Sequence, residues 1–104
     1  MKKIHVLTKR PGSIPRSVWV SYTLENLQRQ VGGYIEAVIL DEDLVVICNE
    51  EGRLRNLPYN CEVEGIQFYG DIIIAGVQDE EFADLPMDYR EAKICFPDLW
   101  EVEA

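Results

Sequence analysis

Residues 31–60 read VGGYIEAVILDEDLVVICNEEGRLRNLPYN, and their pattern decides the fold. In residues 34–40, YIEAVIL, the side chains alternate. Ile35, Ala37 and Ile39 point one way and Tyr34, Glu36, Val38 and Leu40 the other, the period-two signature of a strand. Asp41-Glu42-Asp43 is a polar break of hairpin length. Residues 44–48, LVVIC, are apolar at every position, which predicts a central strand covered on both faces. Asn49-Glu50-Glu51-Gly52 then makes a turn, with Gly52 the expected site of positive φ. Residues 53–60 are expected to hold a short helical turn or an ordered loop, limited in length by Pro58.

Upstream, residues 3–8 (KIHVLT) predict a first strand, and residues 17–21 (SVWVS) a short second one. Pro11 and Pro15 keep the stretch between them out of a ladder. Residues 23–31 predict a helix capped by Thr23 (or Ser21), with Leu24, Leu27 and Val31 on one face and Gly32 as its left-handed stop. Downstream, GDIIIAG at 70–76 predicts a second buried strand, because three successive isoleucines need cover on both sides. Residues 84–93 predict a helix capped by Asp84 with Pro86 in its first turn, and residues 94–100 an edge strand. The order implies an α+β fold: a small, mainly antiparallel sheet with two helices packed on one side. Residues 1–104 read as a single domain.

Composition narrows the classes. Apolar residues make up 47%, ordinary for a globular chain. No apolar run approaches the ~20 residues that cross a bilayer, and the basic start MKKIHVLTKRPG is too short in apolar residues for a secretion signal, so no membrane partner and a cytoplasmic location are expected. Cys48, Cys61 and Cys95 are odd in number and widely spaced, which predicts buried free thiols. The net charge is −9 and unevenly placed. The first thirty residues carry Lys2, Lys3, Lys9, Arg10, Arg16 and Arg29 against Glu25, and the remainder is acidic. Such a chain repels nucleic acid unless its bases gather on one face, and no RNA-binding signature is present, so direct nucleic-acid binding is not expected.

VGGYIE at 31–36, NEEGRLRNLPYN at 49–60, GDIIIAG at 70–76 and the Asp84-Leu85 neighbourhood together resemble the domain of unknown function 3846 family, over about Leu24 to Leu85. The resemblance implies a compact α+β domain among the accessory proteins of bacteria, phages and integrated mobile elements. It carries over no catalytic residue.

The candidate ligand-binding residues are Tyr34, Glu36, Asn49, Glu50, Arg53, Arg55 and Asn60, with Asn56 beside them. Glu36 stands out as a carboxylate on an apolar strand, which must reach water or a partner such as Arg53 or Arg55. Two readings stay open: a pocket at one end of the sheet, or a solvated Glu36 with Asn49 and Asn60 bonding turn backbone. No catalytic residue is assigned. His5 is the only histidine, so no histidine-pair zinc motif is possible. Asp41-Glu42-Asp43 lacks the EF-hand pattern, and there is no phosphate-binding glycine loop or G-x-S-x-G elbow; no cofactor and no metal are assigned. Trp100 is a candidate anchor for a partner. The expectation is a non-enzymatic accessory module that binds a small ligand or a host or element-encoded protein. The alternative is an acidic mimic of DNA that inhibits a host defence or restriction protein, carried by acids at 41–51, 62–71 and 79–104.

Overall fold

A computed structural model describes residues 2–41 and 43–102. The chain runs β1 (Lys3–Lys9), β2 (Arg16–Ser21), α1 (Leu24–Val31), β3 (Ile35–Asp41), β4 (Leu44–Asn49), β5 (Tyr59–Val63), β6 (Ile66–Tyr69), β7 (Ile72–Gln78), β8 (Glu81–Ala83) and α2 (Tyr89–Cys95), closing with a 3₁₀ turn at Pro97–Trp100. The main sheet has the order β2-β1-β7-β4-β3, with β8 added alongside β7, and every pairing described is antiparallel. β5 and β6 form a separate hairpin. The α+β class and the antiparallel sheet are as the sequence implies.

Alternation along the two central strands builds two cores. Leu44, Val46 and Cys48 of β4 and Ile72 and Ile74 of β7 face one side, with Cys61, Val63, Phe68, Ala92 and Leu99 laid over them. Val45 and Ile47 of β4 and Ile73 and Ala75 of β7 face the other side, beneath Leu27 and Val31 of α1. Hence the runs LVVIC and IIIA are apolar at every position: each strand is sandwiched. The two helices, expected together on one side, lie on opposite faces, and the β5–β6 hairpin shares α2's face. A sheet with two apolar faces must be covered twice, and one eight-residue helix covers only one of them.

α1 follows its signals. Thr23 Oγ1 accepts from Asn26 N–H at 3.1 Å, and Gly32 sits at φ 78° in the left-handed region. Leu27 and Val31 are buried, whereas Leu24, expected on the same face, is exposed. Later in the chain the reading departs from the structure. Asp84 does not cap α2; it accepts from the main-chain N–H of His5 at 2.8 Å, while Leu85 N–H donates to His5 O at 2.7 Å. The cap is Asp88, which accepts from Glu91 N–H at 2.8 Å. Residues 94–100 are the end of α2 and the 3₁₀ turn rather than a strand, consistent with a proline that cannot donate to a ladder.

The β5–β6 hairpin and β8 are not foreseen from the sequence. Each hairpin turns on two residues of positive φ: Glu64 (50°) with Gly65 (82°), and Asp79 (52°) with Glu80 (64°). That is type I′ geometry, carried by an E-G and a D-E pair in place of the usual Asn-Gly. Gly52 has no positive φ; that role falls to Asn56 at 54°. Gly52 is instead a close-approach residue, since a Cβ there would meet Tyr69 O at 3.1 Å.

Candidate functional site

Asn49 closes β4 and is buried. Its Nδ2 donates to Val31 O at 3.1 Å, and its Oδ1 accepts from Glu51 N–H at 2.8 Å, holding the turn. Arg55 Nη1 donates to Gly32 O at 3.1 Å. Both side chains thus satisfy carbonyls at the C-terminal end of α1, where a cation is also favoured by the helix dipole. Gly33 makes this possible: a Cβ there would meet Asn49 Nδ2 at 2.8 Å and Arg55 Nη1 at 3.1 Å. The VGG at 31–33 and the N-E-E-G-R-L-R at 49–55 are therefore two halves of one joint.

That joint aims Glu50 and Arg53 outward. A cleft of about 210 Å³ opens between β3 and β6, walled by Glu36, Glu50, Arg53, Gln67 and Tyr69 over Val38, Cys48 and Phe68. Arg53 Nη2 donates to Gln67 Oε1 at 3.2 Å, and its guanidinium lies 5.3 Å from the centre of the Tyr69 ring. Tyr69 Oη donates to the same Gln67 oxygen at 3.2 Å, and its ring meets Tyr59 edge-on at 5.6 Å. The guanidinium is thus pre-positioned with several N–H groups left for a ligand. Glu36, exposed, pairs across the ladder with Cys48, whose Sγ donates to Glu36 O at 3.6 Å.

Of the sequence-derived candidates, Glu36, Asn49, Glu50 and Arg53 share this cleft. Tyr34 projects into solvent, and its carbonyl accepts from Glu50 N–H at 2.8 Å. Arg55 serves α1. Asn60 is buried elsewhere: its Oδ1 accepts from Lys9 Nζ at 2.8 Å, and its Nδ2 donates to Lys9 O at 2.9 Å and to Gly70 O at 2.7 Å. Gln67, Phe68 and Tyr69 were not in the set, because the β6 strand that carries them was not recognised. The signal was present as Glu64-Gly65 between CEV and IQF.

No thiolate chemistry is available in the cleft near neutral pH. Burial, reinforced by Glu36, pushes the Cys48 thiol up to about 11. Cys61 is also raised by burial, with Lys9 opposing, and Lys9 is lowered by burial, with Cys61 opposing. Cys95, expected to be buried, is exposed on the outer side of α2. The Cys48 shift predicts an alkaline effect. Unfolded thiols ionise near the ordinary value of 9.0 while folded Cys48 stays protonated to about 11, so stability falls as pH rises through that window. Its share is roughly 2–3 kcal/mol. Denaturant midpoints measured from pH 8 to 11 under reductant are expected to fall less steeply in Cys48→Ala than in the parent.

His5 bonds Ser17 through Nε2 and leans on Trp19, with ring centroids 5.4 Å apart. Asp84 binds the main chain of His5, so these three residues do not form a nucleophile relay. Trp100 anchors the chain internally: its Nε1 donates to Tyr89 Oη at 3.0 Å, and Tyr89 Oη donates to Pro15 O at 2.8 Å. Among the described residues no three His, Cys, Asp or Glu side chains converge as metal ligands. Of the Asp41-Glu42-Asp43 break, Glu42 lies outside the described residues. Among the described residues no helix is long and apolar enough to cross a membrane.

The fold and its clefts define a small α+β domain with an antiparallel sheet covered on both faces. The chain belongs to the family described as domain of unknown function (DUF3846), whose profile matches residues 1–94. The match takes in every strand and most of α2, further than the Leu24–Leu85 span whose motifs carry the resemblance. No curated protein and no solved structure matches the chain.

Proposed function

We propose that the protein is a non-enzymatic binding module that takes a small zwitterionic group, free or at the end of a partner polypeptide, in the cleft between β3 and β6. One observation carries this reading. A carboxylate, Glu36, and a pre-positioned guanidinium, Arg53, wall a single small cleft whose base is apolar. A volume of about 210 Å³ is below that of drug-sized pockets and suits an amino-acid-sized group. Opposite charges on the walls complement a ligand that carries both signs. The resemblance to phage and mobile-element accessory proteins supports the same setting: a cytoplasmic adaptor encoded beside other genes of such an element. Acidic mimicry of DNA draws less support, because three arginines border one cavity on the opposite side of the sheet from this cleft.

Chemical-shift mapping with free amino acids, and with short peptides blocked at either end, tests the reading. Shifts are expected at Gln67, Tyr69 and Glu36. Arg53→Ala and Glu36→Gln are each expected to weaken binding about tenfold, the worth of one charge-assisted hydrogen bond, without changing Tm. Peptide-only binding would place the group on a partner chain, and binding of free amino acids would place it on a metabolite. Binding unaffected by either substitution, or no shift with any probe, overturns the proposal.

A further inference from the structure

A larger cavity lies elsewhere, where the open ends of β1, β2 and β7 meet the last turn of α1. It measures about 510 Å³. Its construction follows from register. Thr8 pairs with Arg16 on one side and with Ile73 on the other, and Ile73 belongs to the α1-side core, so all three point towards α1. Arg29 and Gln30 from α1 close the opposite wall. Pro11-Gly12 forms a tight turn, with Ser13 N–H donating to Arg10 O at 3.1 Å and Gly12 at φ 76°, which brings Arg10 and Ser13 to the rim.

The charge at this cavity runs against that of the whole chain. The protein has 19 acidic and 10 basic side chains, yet Arg10, Arg16 and Arg29 border the cavity against Asp71 as the single carboxylate. Ion pairing does not account for them. Among the described residues the one ion pair is Arg29 with Glu25 at 3.3 Å, an exposed pair on the surface of α1. Arg10 and Arg16 have no such partner among those residues. Lys9 pairs with Ile72, which faces the other core, and its Nζ donates to Asn60 there, so its charge lies on the far side of the sheet from this cavity. A strongly acidic protein repels anions everywhere except where positive groups are gathered, and they are gathered here around a void.

We propose that this cavity binds a phosphorylated small molecule of nucleotide size, its phosphates held by Arg10, Arg16 and Arg29. Guanidinium groups match phosphate oxygens in pairs, and the Thr8 and Ser13 hydroxyls and the Gln30 amide supply neutral bonds. Val18 and the exposed Ile14 offer an apolar surface for the organic part. The volume falls inside the ~300–1,000 Å³ of small-molecule sites. This site is separate from the Glu36–Arg53 cleft, and the two proposals stand or fall independently.

The test is calorimetric titration of the full chain with tripolyphosphate and with ATP, in EDTA and at low salt. Binding is expected to both, weakening with added salt. Arg10→Ala and Arg16→Ala are each expected to weaken it about tenfold or more while leaving the ligand-free Tm near that of the parent, since both side chains are exposed. Asp71→Asn, which removes the one negative group, is expected to tighten it. Arg90→Ala, which removes an exposed cation of α2 that lines neither cleft, serves as the control that leaves it unchanged. Three results would overturn the proposal: no heat with either ligand, binding indifferent to Arg10 and Arg16, or tighter binding of single-stranded DNA than of ATP, which would make the basic rim a nucleic-acid surface.

Discussion

Gly76→Ala is expected to be among the most damaging single-methyl changes in the protein. Gly76 lies on β7 where β4 pairs on one side and β8 on the other, opposite Leu44 and Ala83. A Cβ built there overlaps the carbonyl oxygen of Asp84 and comes within 3.4 Å of Ala83 O. Both obstacles are backbone, so no rotamer change relieves them. The segment after β8 must move away, and with it go the bond from His5 N–H to Asp84 and the one from Leu85 N–H to His5 O, which stitch that segment to β1. A cost of about 3 kcal/mol follows from overpacking of this kind. In a domain of this size that lowers Tm by roughly 12–24 °C. Differential scanning calorimetry measures it, and a Tm within a few degrees of the parent would show that the β8 segment yields easily.

Asn60→Ala is expected to cost as much or more, for an electrostatic reason. Asn60 holds the Lys9 ammonium with its oxygen and two buried carbonyls, Lys9 O and Gly70 O, with its amide. Truncation leaves a buried cation and two acceptors without partners, a loss of about 3–5 kcal/mol by analogy with broken buried pairs. Replacing Lys9 with methionine removes the charge and keeps the volume. Lys9→Met in the Asn60→Ala background is therefore expected to recover about 2 kcal/mol, so the two changes are strongly non-additive. Urea unfolding of the four proteins in the cycle measures the coupling. Simple additivity would mean that Lys9 finds water once Asn60 is gone.

These two positions show how unevenly the fold could be read along the chain. The helix at 24–31 and the strands at 35–41, 44–49 and 72–78 were legible, because each carries its own periodicity and its own stop signal within about ten residues. Gly32 as a helix stop is a local matter and was legible; Gly76 as a contact with Asp84 is not, since nothing in GDIIIAGVQ names the segment that will cross it. The β5–β6 hairpin was missed because Glu64-Gly65 is a weaker turn signal than Asn-Gly, and β8 because Asp79-Glu80 contains no glycine at all. Asp84 has the residue type of a helix cap and instead closes onto β1, a competition between two N–H donors for one carboxylate that only distance resolves.

The polar cluster divides for the same reason. Glu36 and Arg53 are seventeen positions apart in sequence and share one cleft because β6 folds over β3 and β4. Asn60, only seven positions beyond Arg53, ends up with Lys9 because the start of β5 passes under the exit of β1. The basic residues are concentrated in the first thirty positions, with no pattern there that names a shared face. Register between β1, β2 and β7 brings Arg10 and Arg16 to one rim, and the packing of α1 delivers Arg29 to it.

By itself the amino-acid order determined the class of the domain: the strands and helix that carry their own periodicity and stops, that two strands are buried on both faces, and that the molecule is acidic. Periodicity, caps and composition act over a few residues and need no partner to be expressed. Only the tertiary structure decided which face each helix covers, which glycine is crowded, and which charged side chains meet. Those outcomes depend on strand order and register, where a shift of one residue turns every side chain to the opposite face.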